Sequence, residues 1–144
     1  MNAEGTILIV EDNPDDVFFM QRACKTAQIL NPLQIAIDGQ QAIDYLAGTG
    51  EFADREKFPI PCLTLLDLKL PKKTGHEVLA WARSQPEYHS LIIVALTTSR
   101  ETKDIMEAYR LGVNAYLVKP TSPAHLIEMM TAIRNFWIAQ NVVD

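Results

Sequence analysis

Five short apolar runs, each about the length of a β-strand, alternate with segments that repeat apolar residues at helical spacing. Runs that are apolar almost throughout suit strands buried on both faces, as in a parallel sheet covered by helices. The alternation predicts a three-layer α/β domain with five parallel strands, five helices and right-handed crossovers. The predicted strands span residues 7–10, 33–37, 63–66, 91–96 and 115–118.

Polar residues that can cap a helix precede each predicted helix, and capping predicts where the helices begin. Residues 48–61 form one long polar stretch with two prolines at its end, which predicts a surface loop longer than the usual connection. The residues expected to begin the five helices are Asn13, Asp38, Thr74, Ser99 and Ser122.

Length and charge exclude several classes of protein. A chain of 144 residues predicts a single domain over 1–144, with its core at about 5–136 and an extended C-terminal helix and tail. A net charge of −5 without a Lys/Arg cluster predicts no nucleic-acid partner. With no signal peptide and no membrane-spanning apolar run, we expect a cytoplasmic protein that does not contact a membrane, with Cys24 and Cys62 as reduced thiols.

Chemically useful side chains follow four of the five predicted strands. The carboxyl ends of parallel strands meet at one edge of the sheet, where ligands bind in such folds. Three carboxylates at one edge repel one another unless a cation joins them, and oxygen ligands favour Mg²⁺. A lysine and a hydroxyl beside them suit a phosphoryl group held on a carboxylate. The residues at the four strand ends are Glu11 and Asp12, Asp67, Thr97 and Thr98, and Lys119.

Four segments together resemble the response-regulator receiver family. They are residues 7–12 (ILIVED), 65–75 (LLDLKLPKKTG), 94–98 (VALTT) and 115–120 (AYLVKP), and they occur in the family's order and at its spacing. The resemblance covers about residues 5–136. It implies a doubly wound (βα)5 flavodoxin-like fold whose parallel sheet has the order 2-1-3-4-5.

The resemblance assigns a phosphoacceptor and a metal site. Asp67 corresponds to the aspartate that is phosphorylated, and it also binds the metal. Asp12 resembles the acid that binds Mg²⁺ directly, and Glu11 its neighbour, which usually acts through water. The backbone carbonyl of Lys69 resembles the third protein ligand.

The resemblance also assigns phosphoryl-binding and switch residues. Lys119 corresponds to the lysine that pairs with the phosphoryl group, and its bond to Pro120 is expected to be cis. Thr97 resembles the switch hydroxyl, and Thr97 and Thr98 are both expected to bind the phosphoryl group. Thr98 stands where the family often has a smaller residue, and its size would crowd access to Asp67. Tyr116 resembles the aromatic residue that turns inward when the hydroxyl moves.

The expected function is that of a stand-alone two-component response regulator. A sensor histidine kinase would phosphorylate it, and the face formed by helix 4, strand 5 and helix 5 would change conformation. The chain would be no enzyme beyond its own phosphotransfer and dephosphorylation. Output would pass through another protein or a homodimer, formed through that face or through the C-terminal helix.

A narrower resemblance is to the small regulators that partner bacterial phytochrome-type histidine kinases. It rests on residues 13–16 (NPDD), the long loop before Leu63, residues 96–99 (LTTS) and the extended last helix.

Two other classes compete with this interpretation. A haloacid-dehalogenase-type phosphatase also uses an aspartate after a strand, but it needs a second acid two residues later, where this chain has Lys69. A non-phosphorylated pseudo-receiver would be a protein-interaction or dimerisation module. Such modules usually lose the acceptor, an acid of the pair or the lysine, and this chain keeps all of them.

Overall fold

A computed structural model describes residues 5–140. The strands are β1 (Ile7–Val10), β2 (Leu33–Ala36), β3 (Leu63–Leu66), β4 (Ile93–Thr97) and β5 (Ala115–Val118). They form one parallel sheet with the order β2-β1-β3-β4-β5, so the expected fold and strand order are confirmed. On β1, Ile9 pairs with Ile35 of β2 on one side and with Leu65 of β3 on the other. The predicted domain limits at residues 1 and 144 lie outside the described residues.

Five α-helices cover the two faces of the sheet. The helices are α1 (Pro14–Thr26), α2 (Gly39–Ala47), α3 (Gly75–Ser84), α4 (Thr102–Arg110) and α5 (Pro123–Ile133). Helices α2, α3 and α4 pack on one face, and α1 and α5 pack on the other. A 3-10 turn, Gly50–Phe52, follows α2, and a π-helical segment, Arg134–Gln140, continues α5.

The strands are apolar throughout because the sheet is buried from both sides. In β1, Leu8 and Val10 belong to the core beneath α2, α3 and α4, whereas Ile7 and Ile9 belong to the core beneath α1 and α5. Successive side chains of a strand point to opposite faces, so a strand covered on both faces has no polar side.

Side-chain caps explain most of the helix starts, with one correction. The Asn13 side chain accepts hydrogen bonds from the first turn of α1, and Thr74 and Glu77 form a capping box on α3. The prediction that Ser99 begins the fourth helix is wrong, because α4 begins at Thr102. The Ser99 hydroxyl instead donates to Asp104 Oδ2 at 2.6 Å, which keeps it in the loop before the helix.

The long segment before β3 is more than the surface loop that its polarity predicted. Phe52 is buried, and its ring centroid lies 5.2 Å from that of Tyr45 and 5.1 Å from that of Phe58. The Arg55 guanidinium donates to the carbonyl oxygens of Tyr45 and Leu46 at the end of α2. The segment therefore closes one end of the core and satisfies helix carbonyls that would otherwise be unpaired.

The last apolar residues divide between core and solvent. Ile138 is buried and Trp137 packs against the core beneath α1 and α5, while Phe136 is exposed. None of the helices in the part of the chain that the structure describes is long and apolar enough to cross a membrane.

Candidate functional site

Three carboxylates converge at the carboxyl edge of the sheet. Glu11 and Asp12 follow β1, Asp67 follows β3, and one oxygen from each lies within 4.8 Å of the others. Glu11 is 2% exposed and Asp67 is 8% exposed, whereas Asp12 is open to solvent. The sequence predicted this convergence from the parallel strands, and the geometry of the carboxylates agrees with it.

Backbone contacts fix Asp67 at this edge. The amide of Asp67 donates to the carbonyl oxygen of Val10, and the amide of Lys69 donates to Asp67 Oδ1 at 3.2 Å. Helix α3 begins next to this loop, and the amide of Gly75 donates a hydrogen bond to the carbonyl oxygen of Leu68. A Cβ atom on Gly75 would lie 2.3 Å from the carbonyl oxygen of Asp67, so only glycine allows this approach.

Lys119 brings a positive charge to this edge of the sheet. Its ammonium donates to Asp67 Oδ2 at 3.0 Å, to Asp16 Oδ2 at 3.1 Å and to Glu11 Oε1. The side chain is 12% exposed, and the amide of Lys119 donates to the carbonyl oxygen of Thr97. The ammonium thus uses its three donors on three carboxylates.

The pKa values of the two buried partners both rise. Burial raises the pKa of Glu11, and the hydrogen bond from Lys119 offsets this only in part. Burial lowers the pKa of Lys119, but its hydrogen bond to Glu11 and the charge of Asp67 outweigh burial, so the net direction is upward. The rise for Glu11 thus reflects its burial, whereas the rise for Lys119 reflects the carboxylates around its ammonium.

The donor set fits a hard divalent cation. The converging ligands are all carboxylate oxygens, and one lysine does not neutralise them. Mg²⁺ takes oxygen ligands and commonly binds through one or two carboxylates, with waters and phosphate oxygens completing its shell. The edge that holds Glu11, Asp12 and Asp67 is therefore a suitable site for such an ion.

The hydroxyl residues on β4 and β5 surround the same edge. Thr97 is fully buried, and its hydroxyl has no hydrogen-bond partner among residues 5–140. Thr98 is exposed at the end of the strand. The Tyr116 hydroxyl donates to the carbonyl oxygen of Ser99 at 2.9 Å, and its ring packs partly into the core. A buried hydroxyl without a partner is costly, so the Thr97 hydroxyl requires an explanation.

One backbone prediction is wrong. The described chain contains no cis peptide bond, so the bond between Lys119 and Pro120 is trans. The trans form is the ordinary preference for a bond before proline, by roughly 0.5–1 kcal/mol. Lys119 reaches Asp67 with this bond trans, so the contact between the two side chains does not require the cis form.

Asp16 is a site residue that the sequence did not predict. It lies in the first turn of α1, where acidic residues are favoured whether or not they belong to a site. The available signal was position, because α1 begins immediately after the acid pair and its first turn lies at the same sheet edge. Lys69 is exposed beside Asp12 at the rim of the site.

The family model described as "Response regulator receiver domain" matches residues 7–131. The chain belongs to this family. The receiver domain is 40% identical over 137 residues to the response regulator Rcp1 of Synechocystis, covering 95% of this chain and 91% of that protein. The crystal structure of Rcp1 in its Mn²⁺-bound form has a TM-score of 0.87 to this chain, with 38% identity, and covers 97% of this chain and 99% of that one.

Two further solved structures are similar over nearly the whole receiver domain. The phosphorylated cyanobacterial phytochrome response regulator RcpA has a TM-score of 0.89 and 35% identity, covering 96% of this chain and 97% of that one. The response regulator RPA3017, in red light signalling of R. palustris, has a TM-score of 0.92 and 36% identity, covering 97% and 98%. The resemblance to the receiver family and to phytochrome response regulators is thus confirmed.

Proposed function

We propose that this receiver domain accepts a phosphoryl group from a sensor histidine kinase onto the Asp67 carboxylate. The observation that carries the proposal is the Lys119 ammonium held between Asp67 and Glu11, at a sheet edge with excess negative charge. The excess of negative charge among these groups does not contribute to stability, because a buried excess of like charge is unfavourable. They suit a reaction in which a phosphoryl group with negatively charged oxygens arrives beside Asp67.

In the proposed reaction, one carboxylate oxygen of Asp67 attacks the phosphorus of a phosphohistidine. An O–P bond forms, the N–P bond breaks, and its electron pair stays on the histidine nitrogen, which takes up a proton. The product is an acyl phosphate on Asp67. The amide of Lys69 and the ammonium of Lys119 hold the two carboxylate oxygens of Asp67, so the acceptor is oriented before the donor arrives.

Glu11, Asp12, Asp67 and the backbone carbonyl of Lys69 would hold Mg²⁺. When bound, the ion neutralises negative charge on the phosphoryl oxygens, which is the main catalytic requirement of phosphoryl transfer.

The switch is assigned to Thr97 and Tyr116. The buried Thr97 hydroxyl has no hydrogen-bond partner within the described part of the chain, so it can donate to an oxygen of a phosphoryl group on Asp67. The Tyr116 hydroxyl donates a hydrogen bond to the carbonyl oxygen of Ser99, in the loop that follows Thr97. Movement of that loop would therefore change the hydrogen bond of Tyr116. Phosphorylation would then favour one of two arrangements of the α4, β5 and α5 face. We expect Thr98, which is exposed at the end of β4, to limit access to Asp67.

The wider context is also a proposal. The similarity to regulators of phytochrome and red light signalling supports a phytochrome-type histidine kinase as the partner. We propose a cytoplasmic regulator whose receiver domain spans residues 1–144, a match that covers 91% of Rcp1 and 97% of RcpA, with no activity beyond its own phosphotransfer and dephosphorylation. Exposed Met106, Tyr109 and Phe136 support a homodimer through the α4, β5 and α5 face or the C-terminal helix.

Beryllofluoride, a mimic of the acyl phosphate, tests the proposal without a kinase. With Mg²⁺ present it should shift the amide resonances of residues around Thr97 and Tyr116, and Asp67→Asn should abolish the shifts. A wild-type spectrum that does not respond would contradict the proposal and favour the pseudo-receiver alternative.

A further inference from the structure

The Lys119 ammonium has a third partner that the proposed reaction does not use. Asp16, in the first turn of α1, places Oδ2 3.1 Å from Lys119 Nζ. Its side chain is 40% exposed, whereas the other two carboxylates on this ammonium are nearly buried. Asp16 is therefore the most solvent-exposed of the three carboxylates that contact Lys119.

Asp16 differs from the other two partners in its relation to a cation. Glu11 and Asp67 belong to the group of carboxylates close enough to share one ion, and Asp16 does not. A cation at that edge competes with Lys119 for Glu11 and Asp67, and it also repels the ammonium. A cation there does not compete for the Asp16 carboxylate, which is not part of this group.

The first turn of α1 is built to hold Asp16 in place. The Asn13 side chain accepts hydrogen bonds from the amides of Asp15 at 2.9 Å and Asp16 at 3.2 Å. Pro14 occupies the first helical position, where its fixed φ angle suits the helix. The turn also provides a comparison, because Asp15 is exposed and makes no contact with Lys119.

We propose that Asp16 is a positioning residue, which keeps the Lys119 ammonium beside Asp67 when a cation occupies the acidic group. This inference rests on the proposed phosphoacceptor function and assigns one further residue to it. Residues 13–16 then act together. Asn13 and Pro14 fix the first turn of the helix, and the Asp16 carboxylate positions Lys119.

Asp16→Asn and Asp15→Asn are matched variants for testing this role. Each removes one negative charge from the same helical turn, so net charge and the interaction with the helix dipole change equally. The first readout is the ¹⁵N-coupled ammonium signal of Lys119, identified by its loss in Lys119→Met and recorded without metal and with saturating Mg²⁺. With Mg²⁺ the signal should persist in the wild type and Asp15→Asn, and broaden with faster proton exchange in Asp16→Asn. Equal signals in the two variants would overturn the proposal.

The second readout is the dissociation constant for beryllofluoride at saturating Mg²⁺. We expect binding about fivefold weaker in Asp16→Asn, the scale of a partly exposed ion pair, and a change below about twofold in Asp15→Asn. In the Lys119→Met background, Asp16→Asn should have no further effect, because it acts through that lysine. Asp16→Glu should restore part of the loss.

The outcomes separate the two proposals. A wild-type protein that does not bind beryllofluoride would overturn the phosphoacceptor function itself. Normal wild-type binding with equal constants for Asp15→Asn and Asp16→Asn would overturn only the role of Asp16. An undiminished effect of Asp16→Asn in the Lys119→Met background would also overturn it, since the effect would not pass through Lys119.

Discussion

The substitution Asp12→Asn should stabilise the receiver domain when no metal is present. Asp12 belongs to the acidic group, yet the Lys119 ammonium contacts Glu11, Asp16 and Asp67 and does not contact Asp12. No lysine or arginine in residues 5–140 forms an ion pair with Asp12, so Asp12 adds negative charge to the edge without a paired cation. Asparagine keeps the size of the side chain and removes that charge.

The size of the effect follows from the separation of the carboxylates. Two unit charges 4.8 Å apart repel by roughly 3.5 kcal/mol at an effective dielectric constant of about 20. Asp12 is exposed, so water and salt reduce this value considerably. We expect the free energy of unfolding to rise by about 1–2 kcal/mol.

Urea denaturation in EDTA measures the stability without metal, and denaturation in excess Mg²⁺ measures how much the ion stabilises each protein. In EDTA Asp12→Asn should unfold at a higher urea concentration than the wild type. Mg²⁺ should stabilise the wild type more than the variant, because the variant has lost a ligand. Asp15→Asn is the control, and its unfolding free energy should change by less than about 0.5 kcal/mol. The prediction would be refuted if Asp12→Asn were less stable than the wild type in EDTA. It would also be refuted if Mg²⁺ raised the unfolding free energy of the variant as much as that of the wild type.

Three further predictions follow from other residues. Thr64 has a buried hydroxyl with no partner among residues 5–140, so Thr64→Val should raise the unfolding free energy by about 1 kcal/mol in urea denaturation, and a loss would contradict this. Gly75→Ala should lower the unfolding free energy by about 2 kcal/mol and weaken beryllofluoride binding, because the added Cβ atom would displace the backbone of Asp67. Unchanged binding would contradict this, since it would mean that the loop accommodates the Cβ atom without moving Asp67. The raised pKa of Lys119 means that its ammonium stabilises the fold fully below about pH 10.5 and that this contribution is lost as the pH rises further. Unfolding curves should therefore show a steeper loss of stability above that pH in the wild type than in Lys119→Met, and parallel losses would contradict the assignment.

The sheet and most of the site were predictable from local patterns. A strand buried on both faces must be apolar throughout, so runs such as residues 7–10 and 63–66 predicted their strands exactly. Parallel strands have their carboxyl ends at one edge, and the residues that follow them had to meet. This is why Asp12, Asp67 and Lys119 could be grouped before any distance was measured.

The features that the sequence did not predict depend on contacts between distant segments. Asp16 and Lys119 are separated by 103 positions, and no local pattern links them. Ser99 is of a residue type that often caps helices, but its hydroxyl donates a hydrogen bond to Asp104 and lies in the loop before α4, which begins at Thr102. The burial of Phe52 in the long polar segment depends on the ring of Tyr45, on another element. In each case tertiary packing decides between local alternatives.

Site mapping after phosphorylation tests the central claim most directly. The protein is incubated with acetyl phosphate, a small phosphodonor, with Mg²⁺ or with EDTA, and intact mass and peptide mapping follow. The account predicts the addition of one acid-stable but base-labile phosphoryl group, located on Asp67, which requires Mg²⁺ and is absent in Asp67→Asn. A protein that gains no phosphoryl group, or that carries it on another residue while Asp67 stays unmodified, would contradict the account.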